Sequence, residues 1–174
     1  MTFQKGYVQV YTGDGKGKTT ASIGLGIRAS GAGSRVRMIQ FMKGRRYSEI
    51  DAIENIPNFE VSQHGRDEFV SKENPEQVDI DLARKGFETA KEIILAGEHD
   101  LVILDEINVA VDFGLLNIEE VLELVRSRPE NIEIILTGRY APREFIDGAD
   151  LVTEMKEIKH FYQKGVEARK GIEF

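Results

Sequence analysis

The chain of 174 residues contains no cysteine and no tryptophan, and it has only three histidines and four prolines. Without cysteine there is no disulfide, no thiolate zinc site, no iron–sulfur cluster and no sulfur nucleophile. The lack of thiols also fits a reducing compartment. Residues 1–13 hold one early lysine and no long apolar run, so neither a signal peptide nor a membrane-spanning helix is expected. No repeat, low-complexity tract or Pro/Gly-rich linker divides the sequence, and Pro57, Pro75, Pro129 and Pro142 fall between periodic segments. A net charge of −7 argues against a general nucleic-acid binder, whose affinity comes mostly from neutralising phosphates. The expectation is a soluble, cytoplasmic protein with residues 1–174 as one domain, long enough to bury a core without staples.

The mean charge conceals an asymmetry. The first fifty residues hold nine Lys/Arg against two Asp/Glu, and the remainder holds 14 against 28. Such a split marks an anion-binding half, a basic arm or a chance spread of surface charge. Short apolar runs rich in β-branched residues recur at residues 7–11, 36–41, 101–104 and 132–136. Each is too uniformly apolar for a strand with one wet face, as in a parallel sheet covered on both sides. Weaker strands are expected at residues 59–62 and 151–152. Helical patterns occupy residues 18–32, 75–96 and 118–127, with Gly97 as a C-cap and Asn117 as an N-cap. This alternation predicts an open α/β sheet with right-handed crossovers, and ligands in such sheets bind beyond the carboxyl ends of the strands.

The first strand is followed by Thr12-Gly13-Asp14-Gly15-Lys16-Gly17-Lys18-Thr19-Thr20, which leads directly into a helical segment. The glycines allow backbone N–H groups to converge on phosphate oxygens, and the helix N-terminus adds free donors and a favourable dipole. Lys18 can reach the terminal phosphates and the Thr19 hydroxyl can ligate Mg²⁺. Between Gly13 and the pair Gly17-Lys18 only three residues intervene, one fewer than usual, and one of them is the additional cation Lys16. A polyphosphate held in this shorter loop lies in a different register, which weakens the default reading of γ-phosphoryl transfer. The run 101–104 ends in Asp105 and Glu106, either of which can serve Mg²⁺ directly or through water. The strand at 132–136 leads to Thr137-Gly138-Arg139, where Arg139 can reach a triphosphate as a bidentate donor. His64, His99 and His160 lack metal-ligand spacing and read as solvent or structural histidines.

Together these residues resemble the P-loop class of cob(I)alamin (corrinoid) adenosyltransferases. The likeness rests on the short loop at 13–20, on Arg28-Ala29 with Gly31, and on Gln40-Phe41-Met42-Lys43-Gly44. It continues through Leu104-Asp105-Glu106 and Thr137-Gly138-Arg139 to Lys159-His160, Gly165, Ala168 and Gly171-Ile172-Glu173-Phe174. The resemblance implies a single-domain, RecA-like P-loop NTPase fold with a mostly parallel sheet flanked by helices. It implies transfer of the 5′-deoxyadenosyl group of ATP to a Co(I) corrinoid, cob(I)yrinic acid a,c-diamide or cob(I)alamin, with Mg²⁺ or Mn²⁺ as cofactor. ATP would be held by Gly13, Asp14, Gly15, Lys16, Gly17, Lys18, Thr19, Thr20 and Arg28. Lys16, Lys18 and Arg139 would stabilise the departing triphosphate, with metal at Thr19 and Asp105 or Glu106. The family's aromatic stretch beneath the corrinoid aligns with residues 64–71, where Phe69 is the matching aromatic and no tryptophan is present. Phe161 and Tyr162 would pack the tail or meet another subunit. A homodimer and an electron-donating reductase are the implied partners. A phosphoryl-transferring ATPase or nucleoside-type kinase, and a non-catalytic nucleotide or corrinoid module, remain as alternatives.

Overall fold

The structure is a computed structural model that describes residues 3–174. Six strands run parallel: β1 (Val8–Thr12), β2 (Val36–Phe41), β3 (Phe59–His64), β4 (Leu101–Asp105), β5 (Glu133–Thr137) and β6 (Leu151–Glu154). Their order across the sheet is β3-β2-β4-β5-β1-β6. All five residues of β4 are buried, consistent with its place between β2 and β5. A fully buried branched aliphatic side chain contributes about 1.5–3 kcal/mol, so this strand anchors the core. At the edge, β6 is exposed along its length, which is why its apolar run looked weak in the sequence.

The helices are α1 (Lys18–Gly31), α2 (Ser48–Ile53), α3 (Gln77–Ala96), α4 (Ile107–Asp112), α5 (Ile118–Ser127) and α6 (Arg143–Gly148). Ala29 of α1 and Ile53 of α2 join Met38, Phe59 and Ile103 in the core on one face. On the other, Phe87 and Ile94 of α3, Ile107 of α4, Val121 of α5 and Phe145 of α6 pack on Ile39, Val102 and Ile134. The caps expected at Gly97 and Asn117 are present. Gly97 is left-handed (φ 69°), and Asn117 accepts from the Glu119 amide at 2.8 Å. Helix α3 starts two residues later than the periodicity suggested, because Glu76 is still extended (φ −74°, ψ 153°) at its N-cap. The six-residue helices α2, α4 and α6 were not expected, since fewer than two turns give no readable period. No helix among the described residues is long and apolar enough to cross a membrane.

Because every strand points the same way, the loops after β1, β2, β3, β4 and β5 gather along one edge of the sheet. There they border a cavity of about 930 Å³, near the upper end for ligand pockets.

Candidate active site

The loop after β1 lies against the chain that follows β6. The Gly15 amide donates to the Met155 carbonyl at 2.7 Å. An added Cβ would stand 2.5 Å from that carbonyl oxygen at Gly13 (φ +98°) and 2.6 Å from it at Gly15. The glycines are thus required by close backbone approach as well as by phosphate binding. Lys18 opens α1 and is 7% exposed. Its ammonium donates to the carbonyls of Gly13 at 2.7 Å and Gly15 at 2.8 Å, bracing the loop from within. Burial lowers its pKa from the ordinary lysine value, only partly countered by the charge of Glu106.

The floor of the site is the carboxylate of Asp105 at the end of β4, with no exposed surface. Oδ1 accepts from the hydroxyls of Thr19 at 2.9 Å and Thr137 at 2.7 Å. Oδ2 accepts from the Lys43 ammonium at 2.8 Å and the Gln40 amide at 3.2 Å. Gln40 in turn accepts from the Gln63 amide at 3.1 Å, so β2, β3, β4, β5 and α1 are joined through one buried acid. Burial by itself would raise the Asp105 pKa. The Lys43 charge and these hydrogen bonds outweigh it and hold the group below the ordinary aspartate value. Lys43 is shifted the other way: burial disfavours its charge, but Asp105 and Glu106 raise its pKa above the usual lysine value. Glu106 differs from its neighbour. It adopts a left-handed conformation (φ 62°), faces the cavity, and is pushed above the ordinary glutamate range by burial and by the Asp105 charge.

The residues expected at the site fall into distinct groups. Lys18, Thr19, Thr20, Glu106, Arg139 and Phe69 border the cavity. Asp105 lies beneath it with both oxygens occupied, so it reaches a ligand only through Thr19, Thr137 or Lys43. Asp14 is exposed on the outer side of the loop. Lys16 borders the cavity as well, but its ammonium is engaged by Glu173 Oε1 at 2.7 Å and the Ile172 carbonyl at 2.6 Å. Arg28 departs from its expected place. It is exposed in the last turn of α1, ten residues beyond Lys18, or about 15 Å along the helix axis. That distance removes it from the strand ends. Phe161 is partly buried beneath Lys16, whereas Tyr162 is 76% exposed.

Lys43, Gln40 and Thr137 all stood in motifs already noted, but only Lys43 was expected near the triphosphate, among the basic residues of the first fifty, and none was expected to hold Asp105. Their partner Asp105 is 62, 65 and 32 residues away, and no local pattern reveals such contacts. The oxygen donors Thr19 Oγ1 and Glu106, backed by Asp105, suit a hard divalent cation that takes its remaining ligands from phosphate and water. Among the described residues no cluster of three or more His, Cys, Asp or Glu forms an all-protein metal cage, so the chain offers a partial shell only.

Beyond the phosphate loop, residues 66–70 form the opposite wall. The guanidinium of Arg66 grips Asp79 of α3 with two bonds of 2.8 and 2.9 Å. Lys72 pairs with Asp112 of α4 at 2.6 Å. Between these two ties Phe69 is fully exposed (104%), so it is not a core residue.

A parallel sheet, a glycine-rich loop entering a helix, and a buried acid at the end of β4, one strand removed from β1, define a P-loop nucleotide-binding protein. The KaiC-like protein PH0186 of Pyrococcus horikoshii shares this fold, with a TM-score of 0.53 and 16% identity over 90% of this chain and 76% of that one. Residues 4–174 match the family described as ATP:corrinoid adenosyltransferase BtuR/CobO/CobP, and the chain belongs to that family. A corrinoid adenosyltransferase of Pseudomonas aeruginosa is 36% identical over 172 residues, covering 98% of this chain and 85% of its own length. One from Escherichia coli K12 is 34% identical over 177 residues, covering 98% and 87%. The uncharacterized protein all2391 of Nostoc is 40% identical over 169 residues, covering 89% of this chain, which spans about 45% of that protein's own length.

Proposed function

We propose that this chain transfers the 5′-deoxyadenosyl group of ATP to the cobalt of a Co(I) corrinoid, either cob(I)yrinic acid a,c-diamide or cob(I)alamin. The electron pair of Co(I) forms the Co–C5′ bond. The C5′–O bond breaks and its pair leaves on inorganic triphosphate. No general base is required, because the substrate metal is the nucleophile. The observation that carries this reading is the cavity itself: a phosphate loop forms one wall and the anchored, solvent-facing Phe69 the other. Phosphate and an apolar planar group can thereby meet in one space.

In this reading the amides of residues 16–19 and the start of α1 hold the triphosphate. The braced Lys18 and the cavity-lining Arg139 meet the charge that gathers on the leaving oxygen. Thr19 and Glu106 would hold Mg²⁺ or Mn²⁺, with Asp105 orienting the Thr19 hydroxyl. When bound, the cation supplies charge neutralisation on the triphosphate. Phe69 would pack on the lower face of the corrin ring. The protein's contribution is largely positional, keeping C5′ and cobalt roughly 3–3.5 Å apart and in line. A cytoplasmic location, an electron-donating reductase and a homodimer belong to the same reading.

The test is incubation with Mg·ATP and chemically reduced cobalamin or cobyrinic acid diamide. A light-sensitive adenosylated corrinoid with stoichiometric triphosphate is expected. ADP and phosphate instead would assign the chain to phosphoryl transfer, and nucleotide binding without turnover would make it a binding module.

A further inference from the structure

The tail does more than follow the last strand. Residues 171–174 border the cavity, and they cross from the phosphate loop to the segment after β2. At one end stands the Lys16–Glu173 contact at 2.7 Å, reinforced by the Ile172 carbonyl and by the Phe161 ring, whose centroid is 5.8 Å from the ammonium. At the other, the Ser48 hydroxyl donates to the Phe174 carbonyl at 3.1 Å, and the Arg45 guanidinium lies 4.9 Å from the Phe174 ring centroid. Glu173 is itself fixed. Its Oε2 accepts from the Arg169 backbone amide at 2.8 Å and from Arg169 Nε at 3.2 Å. The Arg169 bonds, then the Lys16 bond, hold its carboxyl at about 2, so it remains ionised at any working pH.

Lys16 is the only residue with a side chain between Gly15 and Gly17. Glycine leaves the backbone the most freedom to lose on ordering. An anchored Lys16 therefore restrains a stretch whose amides would otherwise wander. We propose that Glu173 is a positioning residue for the phosphate loop, acting through Lys16 to hold the amides of Lys16 and Gly17 where a triphosphate needs them. The proposal rests on residues 13–20 being the triphosphate site. It assigns Lys16 to the loop's shape, in place of direct contact with the anion.

The experiment is a double-mutant cycle on the full chain, titrating inorganic triphosphate with Mg²⁺ by calorimetry. Glu173→Gln and Lys16→Met should each weaken binding roughly three- to tenfold. The double variant should be no weaker than the worse single one, and Glu173→Asp should retain most of the affinity. In turnover the KM for ATP should rise with kcat unchanged, and melting temperatures should stay close to that of the parent. Additive losses in the double variant would overturn the proposal, because Lys16 would then touch the anion itself. So would unchanged or tighter binding by Glu173→Gln, which would make the tail carboxylate a competitor of phosphate. If the parent protein takes up no triphosphate, the site reading fails before the cycle begins.

Discussion

The Lys43 ammonium stands 2.8 Å from Asp105 Oδ2, linking the segment after β2 to the end of β4 beneath the phosphate loop. Lys43 retains 18% side-chain exposure and Asp105 none, so the lysine faces the cavity while its partner is sealed under it. Removing one partner of a buried pair strands the other charge, a loss of about 3–5 kcal/mol in comparable sites.

Lys43→Met should therefore destabilise the chain by about 3 kcal/mol, read from urea unfolding. Lys43→Met/Asp105→Asn should recover most of that, since no charge is then left without a partner. A loss below about 1 kcal/mol for the single variant would show that Gln40, Thr19 and Thr137 suffice to hold Asp105.

Substitution within the loop tests its contact with the chain after β6. Gly13→Ala adds a Cβ at 2.5 Å from the Met155 carbonyl and strains a left-handed backbone, whereas Gly15→Ala meets that oxygen at 2.6 Å without a positive φ. Both should raise the KM for ATP at least tenfold, and Gly13→Ala should also lose about 1–3 kcal/mol of stability. Intact nucleotide binding in both would place the phosphate elsewhere.

The two walls of the cavity should separate in function. Lys18→Ala should abolish ATP use, because the loop loses its internal brace and its principal cation. Phe69→Ala should bind ATP as the parent does yet convert the corrinoid poorly. Equal, small effects of the two, measured by nucleotide titration and product formation, would refute the assignment.

His64 should make the fold sensitive to acid. Burial, then the charges of Lys85 and Arg37, lower its pKa below the ordinary 6.5, so the native ring is neutral where the unfolded chain already takes a proton. Its contribution to stability is present above pH 6.5 and is lost as the pH falls below that value toward the native pKa. His64→Gln should flatten the pH dependence of unfolding below pH 6.5. An identical slope in the two proteins would assign the acid response to other groups.

How far the sequence could be read follows the range of the interactions. The buried strands were legible because a parallel strand covered on both faces shows an unbroken apolar run, and β4 displays it most fully. The loop at 13–20 was legible because its partners are its own backbone and the helix it opens. Lys43 with Asp105, and Lys16 with Glu173, were not legible: 62 and 157 residues separate the partners, and the sheet order brings the first pair together while the returning tail brings the second. Arg28 shows the opposite case. It was assigned to ATP because it stood in a resembling motif, and the helix then carried it a full ten residues from the loop.

The exposure of Phe69 also has an optical consequence. With no tryptophan in the sequence, Phe69→Trp would create a lone indole at the rim of the cavity, on a loop tied at both ends. Corrinoids absorb strongly across the near ultraviolet and visible, so the emission of that single fluorophore would be quenched as the ring docks. The protein would then report arrival of its second substrate in real time, separately from bond formation and without a label.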